Sequence, residues 1–591
     1  MGSKNSSRRF SFSDFINQSL LKVFNTIKRF PLTAIFLFAL ASILIYLNEI
    51  SYLSTIEEPL QRLAGTLVFA VACSLFFSAI REKYGENLTV FATIINYLVQ
   101  IAFVFLFYQF VYINTEMVAV LTLWLTVAAL LIAFVFIPYI SKKGIEIYIT
   151  KLINKAAVSV FFMLCITLGV IAVFAGIKAL LINDLNTDLY YYTFIIAAVI
   201  FAPLNFLANL PYKAQKYKLK DFNWLLKVAF TYIALPLLSI YTVILYLYFG
   251  KVLITTTWPS GIVSYLVVTY AAIGIASIFI LSPYKDKNRW VGGFSVIYSK
   301  AVFPLLAMMF YAIIVRINQY GFTENRYFVL IIGIWATLVM LYVNFNKGKR
   351  NIVFLISLAL TLLVCAYGPL SAFNISINSQ NKRFNSILNE YNMIQNQTIV
   401  ASSNVSDNHK REISNILYYF NDNHDFSQLK ILPKDFKFKD METLFGFKEY
   451  YNIPHTKSNN FYYNRGDEIL DISGYQLLFD FYLDNYSNKD IDGFIVNNEE
   501  YNISFNDNML VISKNNEELI SVNLKDYATT LYKKYKLKYK GNFTANQLSF
   551  KTENDAIEIK FYFNQFNGYV DEANDIVNFS NAQGKMLIKL K

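Results

Sequence analysis

Eleven stretches of this chain are apolar for about 20 residues each, the length a helix needs to cross the hydrocarbon of a bilayer. They are Phe30 to Leu47, Leu63 to Ile80, Phe91 to Ile113, Val118 to Ile140, Ala156 to Leu181, Tyr190 to Leu210, Ala229 to Phe249, Ile262 to Leu281, Ala301 to Ile317, Tyr327 to Phe345 and Ile352 to Phe373. Hydrocarbon offers backbone amides no water, so each run is predicted as a helix that pairs its own N–H and C=O groups. Composition agrees. Of 591 residues 55% are hydrophobic and 16% charged, with a mean hydropathy of +0.37. Soluble domains run at about 45–50% and 25%. A disordered chain, a disulfide scaffold and a single soluble enzyme are excluded.

The charges orient the bundle. Up to Phe373 there are 29 Lys/Arg against 13 Asp/Glu; from Asn374 onward there are 24 against 28. The excess lies in alternate short loops. One set holds Arg8, Arg9, Lys22, Lys28 and Arg29; Lys142, Lys143, Lys151 and Lys155; Lys213, Lys216, Lys218, Lys220 and Lys227; Lys285, Lys287 and Arg289; and Lys347, Lys349 and Arg350. The loop after the second run is mixed, with Arg81 and Lys83 against Glu82 and Glu86, and the loops between are poor in cations. Positive charge gathers on the cytoplasmic side. The expected arrangement is therefore a cytoplasmic N-terminal segment (1–29), eleven spans (30–373) and an extracytoplasmic remainder. Membrane lipid is the expected partner and nucleic acid is not, because the basic charge is a topology signal rather than a binding face. The N-terminus has no small-residue cleavage site after the first run, so no removed leader is expected.

The last third of the chain is rich in Asn, Lys, Asp and Tyr. Residues 374–466 read as helical: Phe384, Ile387, Leu388, Tyr391 and Ile394 recur at helical spacing over Ser379 to Gln397, and Ile413, Ile416, Leu417 and Phe420 do so over Asp407 to Phe420. Residues 467–591 read as short alternating strands with Asn-rich turns at 506–508 and 515–516: Tyr475 to Leu483, Tyr501 to Phe505, Met509 to Ile512, Leu519 to Val522, Glu558 to Phe563 and Met586 to Leu590, with one helix at Lys525 to Leu537. The predicted fold is a polytopic α-helical membrane bundle of about eleven spans followed by an extracytoplasmic α+β domain with a mostly antiparallel sheet.

Two stretches carry a resemblance. Residues 316–327 read R-I-N-Q-Y-G-F-T-E-N-R-Y, and residues 367–380 read Y-G-P-L-S-A-F-N-I-S-I-N-S-Q. Both are similar to the patterns R-I-x-x-Y-G-x-T-x-x-R-Y and F-G-P-W-x-A-F-x-x-S-x-x-S-Q of a bacterial multi-pass membrane family, domain of unknown function 4153. Leu370 stands where the family has Trp, and Tyr367 where it has Phe. Trp258-Pro259-Ser260-Gly261 also resembles the family. The likeness runs through the spans into Lys410 to Phe447 and is weaker beyond. It implies a membrane fold and an address in the bacterial inner (cytoplasmic) membrane, and no reaction.

Candidate chemistry gathers in the loop before the tenth run. Arg316, Glu324 and Arg326, with Asn318, Gln319 and Tyr320 among them, read as two guanidiniums beside a carboxylate. Such a set binds an anion such as a lipid phosphate, or closes the loop as an Arg–Glu pair. Gly321 is expected in a tight turn, with Thr323 capping the helix that follows. Gly368 and Pro369 read as a helix end or as a hinge between membrane and tail. Asn96, Gln100, Gln109, Asn205 and Asn209 lie within spans and read as interhelical glue; Pro203 and Pro236 are expected to kink or break theirs. The absence of a mid-span carboxylate weighs against a proton relay. Basic residues 213–220 suffice as a topology signal, though lipid headgroups would also suit them.

No catalytic or metal motif occurs, so no catalytic residue, cofactor or metal is expected. Cys73, Cys165 and Cys365 all lie in apolar runs. His409, His424 and His455 are all in the last third; Asp422, His424 and Asp425 read as a solvated helix end. Asp467/Glu468 and Asp490/Asp492 lack a full calcium loop. The leading expectation is a non-enzymatic envelope scaffold or sensor whose extracytoplasmic domain meets a protein partner. The others are a transporter or lipid-handling protein with an anion site at Arg316 and Arg326, and a membrane enzyme with Glu324 as its acid/base.

Topology has its own test. Cysteines replacing Ser51 and Ser487 should react with an impermeant maleimide in intact spheroplasts, and one replacing Gln215 should not. Labelling at position 215 alone would reverse the orientation.

Overall fold

The computed structural model describes residues 12–591 apart from 51–55, 85–88, 114–115, 182–185, 212–216, 256–261, 346–349, 397, 403, 434, 449–457, 466–469, 485–488, 497–498, 507, 516, 536–541 and 572–575. The Trp258 to Gly261 motif, Asp467, Glu468 and His455 lie outside the described residues. The chain forms two compact units, Met1–Tyr450 and Tyr451–Lys591.

The first unit is helical. After α1 (Phe12–Arg29) come ten helices long and apolar enough to cross a membrane: α2 (Pro31–Glu49), α3 (Glu57–Tyr84), α4 (Val90–Val111), α5 (Met117–Tyr139), α6 (Ile145–Leu180), α7 (Asp188–Ala208), α8 (Trp224–Thr255), α9 (Val263–Tyr284), α10 (Arg289–Tyr320) and α11 (Glu324–Phe345). An eleventh apolar helix, α12 (Ile352–Ala366), has only 15 residues. It stops short of the expected Phe373 because Tyr367 is extended and Gly368 turns at φ +81°. The chain then re-enters a helix at once. Ser371 accepts from the Asn374 amide and opens α13 (Ala372–Glu390), seven residues before the predicted start.

Two prolines leave a shared mark. Pro203 and Pro236 each lack an amide and press on the preceding turn. In each case the helix widens into a six-residue π turn that ends two residues earlier, at Ile196–Phe201 in α7 and Ala229–Ala234 in α8. Polar residues within spans behave in two ways. Asn205 reaches Ser159 of α6 at 3.1 Å, while Gln100 bonds Asn96 one turn away on its own helix at 2.6 Å.

The rest of this unit is a helical head with its own apolar core. Ser406 caps α14 (Asp407–Asn423), whose Ile413, Ile416, Leu417 and Phe420 are buried against Phe384, Ile387 and Leu388 of α13. A short pair, β1 (Ile394–Gln395) and β2 (Thr398–Ile399), and α15 (Met441–Phe445) complete it.

The second unit is mostly antiparallel. One sheet runs in the order β4 (Leu477–Asp484), β12 (Ile576–Leu590), β11 (Ile557–Asp571), β3 (Ser458–Arg465), β9 (Asn542–Phe543); β10 (Ser549–Glu553) also pairs with β11 and only β3–β9 is parallel. A four-stranded meander follows the order β5 (Lys489–Val496), β6 (Glu499–Asn506), β7 (Met509–Lys514), β8 (Glu517–Asn523). Helix α16 (Leu524–Tyr535) packs on β12, and Phe481, Phe505, Leu510, Phe561, Phe563, Phe566 and Met586 share one core. β3 starts ahead of the predicted boundary at residue 467, because its partner strand β11 is far longer than its apolar core suggested.

Gly584 lets β12 cross β11. A Cβ there would meet the Tyr562 carbonyl oxygen at 2.1 Å and the Phe563 Cα at 2.8 Å, both backbone atoms that cannot swing aside. Gly584→Ala should cost about 1–3 kcal/mol. Limited proteolysis of the full chain should show faster cutting within residues 451–591 while the spans stay intact.

Candidate functional site

The loop that the sequence singled out joins α10 to α11. α10 ends at Gly321, whose φ of +71° favours glycine, and a Cβ there would meet Gln380 Nε2 at 2.9 Å. Helix α13 of the head grips this turn. Gln380 Nε2 donates to the carbonyls of Tyr320 (3.0 Å) and Phe322 (2.7 Å), and the Phe322 amide donates to Ser379 Oγ at 2.9 Å. Next along, Tyr327 donates its hydroxyl to the Leu370 carbonyl, and Asn374 Nδ2 donates to the Gly368 carbonyl at 2.9 Å. The turn at Gly368 and Pro369 is thus tied to its neighbours on both sides.

The charged residues separate. Arg326 donates to the carbonyls of Gly321 (2.8 Å) and Tyr320 (3.2 Å) and so satisfies the end of α10. Its guanidinium lies 5.5 Å from the centre of the Tyr320 ring, and that of Arg383, from α13, lies 5.7 Å from it. Arg383 pairs with Glu412 at 2.8 Å. Arg316, one turn before Tyr320, and Arg383 are both close enough to Arg326 to repel its charge. Asn318, Gln319 and Tyr320 are exposed.

Glu324 turns away from these arginines. It is 5% exposed and lies against the head. Its Oε1 accepts from the Tyr419 hydroxyl at 2.7 Å and from His424 Nε2 at 2.9 Å, and those two donors are 2.8 Å apart. The expected guanidinium–carboxylate set is therefore corrected: among the described residues no carboxylate forms an ion pair with Arg316 or Arg326, and the acid serves another pair. Two facts make that choice favourable. A carboxylate in the first turn of α11 meets the positive end of the helix dipole, and burial strengthens each hydrogen bond it accepts.

His424 corrects a second expectation. The side chain has no exposed surface and is packed on Tyr419 and Phe420, not solvated at a helix end. Its Nδ1 is buried without a partner among the described residues, while Nε2 faces both Glu324 and Tyr419. Burial and the facing Glu324 carboxylate push the Tyr419 phenol far above its ordinary value, so it stays protonated as a donor. Asp425 instead turns to Ser427, whose hydroxyl and amide hold its carboxyl below the usual range. A signal for His424 existed in the sequence: it sits four residues after Phe420 and seven after Leu417, in register with the buried stripe of α14 and just past its end. Asp490 and Asp492 fall on β5, and no three His, Cys, Asp or Glu side chains gather as a metal site among the described residues.

Below this layer the bundle holds apolar grooves. One of about 680 Å³ is lined by Trp124, Ile275, Phe279, Phe328, Trp335 and Leu358, and another of about 490 Å³ by Phe69, Phe103, Phe107 and Leu130.

Comparison with known proteins agrees with this architecture. The model of the family described as Domain of unknown function (DUF4153) matches residues 32–401, which covers the spans, the loop at 316–327 and α13. The chain belongs to that family. An uncharacterized protein of Pasteurella multocida (strain Pm70) is 22% identical over 383 residues, 64% of this chain and 62% of that protein, so the match spans less than two thirds of the relative. No solved structure matches.

The knot can be weighed by a double-mutant cycle read from thermal unfolding in detergent. Glu324→Leu and His424→Leu should each destabilise by about 1–3 kcal/mol, because each leaves buried polar groups unpaired. The double variant should recover part of the summed loss, with a coupling of at least about 1 kcal/mol. Additive losses would mean the two side chains do not act as a pair.

Proposed function

We propose that this DUF4153 protein is a non-enzymatic scaffold or sensor of the bacterial inner membrane, with its head and strand-rich unit outside the cytoplasm. The observation that carries this reading is the buried Glu324–Tyr419–His424 knot. It fastens α14 of the head to the first turn of a spanning helix, so that a load or a bound partner on the head is felt by α11. The carboxylate is buried and both of its hydrogen bonds go to the head, which disfavours the membrane-enzyme reading.

The strand-rich unit supports a partner-binding role. β4 lies at an edge of its sheet, and Leu478 and Tyr482 stand exposed on one side of it. Edges of this kind take up an added strand from a partner. A lipid-handling reading comes second, favoured by the apolar grooves of the bundle, which suit acyl chains.

A photo-crosslinking residue at position 482 of the full-length chain tests the first reading. In native membranes it should give one discrete protein adduct, and a crosslinker on the paired strand, at Lys585, should give none. The absence of an adduct, with lipid movement by the purified protein in liposomes, would overturn it in favour of lipid handling.

A further inference from the structure

The turn of Glu324 toward the head leaves positive charge behind. Arg316, Arg326 and Arg383 come from three different helices, α10, α11 and α13: Arg326 and Arg383 lie near one exposed tyrosine ring, Tyr320, and Arg316 stands one turn before it on the same face of α10. Glu412 answers one of them. Arg326 spends Nη1 on two backbone carbonyls, which are dipoles and leave its charge uncancelled. Like charges drawn this close repel unless an anion lies between them. The cluster lies between two helices long and apolar enough to cross a membrane, and headgroup phosphates lie at the ends of such helices. Guanidiniums match a phosphate through paired N–H donors, which fits three forks better than three point charges.

We propose that Arg316, Arg326 and Arg383 around Tyr320 form a binding site for a phosphate-type anion, filled either by the phosphodiester of an anionic lipid or by a soluble phosphate. Arg316 is the principal ligand, since neither a backbone cap nor a carboxylate engages it among the described residues. Tyr320 forms the wall of the site and keeps Arg326 and Arg383 over its ring. Arg383 ties occupancy to the head, because it stands on the helix that grips the Gly321 turn. The site is independent of the scaffold reading and holds for either function.

The test uses the purified full-length chain in mild detergent. Native mass spectrometry would follow retention of added phosphatidylglycerol against phosphatidylcholine, and thermal unfolding would follow protection by inorganic phosphate. Wild type should favour phosphatidylglycerol at least tenfold, and the Arg316→Gln/Arg326→Gln variant should lose most of that preference. Protection by inorganic phosphate that the same variant abolishes, without lipid preference, would assign the site to a soluble anion. If the double variant does not fold, Arg316→Gln alone serves and should weaken binding at least threefold, with Arg316→Lys in between. Equal retention of both lipids and equal phosphate response in wild type and variants would overturn the site.

Discussion

A spanning helix leaves its last carbonyls unpaired where it ends, and a membrane protein must satisfy them from within. Among the described residues, arginines from outside the helix donate to carbonyls at or just past four such ends. Arg29 donates to the carbonyls of Leu210 and Pro211 past the end of α7, at 3.0 and 2.8 Å, while also holding Glu82 of α3. Arg62 reaches the carbonyls of Tyr108 and Tyr112 at the π-helical end of α4. Arg350 donates to Ile140 after α5 at 2.7 Å, and Arg326 closes α10. Each places a cation at the negative end of a helix dipole, and Arg29, Arg62 and Arg350 also join elements far apart in the chain. The bundle is thus fastened at its ends by arginines, while its middle is held by apolar packing with a few interhelical bonds such as Asn205–Ser159 and Thr242–Tyr270.

This explains which features were legible in the sequence. A run of about 20 apolar residues has few folded alternatives, so the spans could be read one by one. Their ends could not. α12 is short because of a glycine turn and a serine cap that lie inside an apparently continuous apolar run, and α6 begins at Ile145, well ahead of its apolar stretch, because its first turns are polar helix rather than loop. The π turns before Pro203 and Pro236 are local answers to a missing amide, and the residue types alone do not choose between a kink and a wider turn.

At the candidate site the residues were legible and their pairing was not. Arg316, Glu324 and Arg326 stand within eleven positions, and opposite charges at that spacing invite a local pair. The pairing was decided by two residues about a hundred positions later. Tyr419 and His424 are ordinary in sequence; burial by α13 and α14 makes them donors that a carboxylate cannot find in the local loop. Arg383 was equally invisible, because its place beside Tyr320 follows from how α13 lies on the Gly321 turn.

The two halves of the site are consequences of one choice. An acid left beside the arginines would have neutralised them, and the head would have met α11 without a charged anchor. With the acid committed to the head, the first turn of α11 presents opposite characters on its two sides: a buried carboxylate bound to Tyr419 and His424, and half-buried guanidiniums around the exposed Tyr320 ring. Between them runs a turn that only glycine fits closely, under Gln380. Any movement of α13 therefore acts on both sides together. It shifts Gln380 and Arg383 on the arginine side and, through its packing on α14, the donors to Glu324 on the other. The proposed sensing head and the proposed anion site share one turn in this geometry, and the few residues at 316–327 are where they meet.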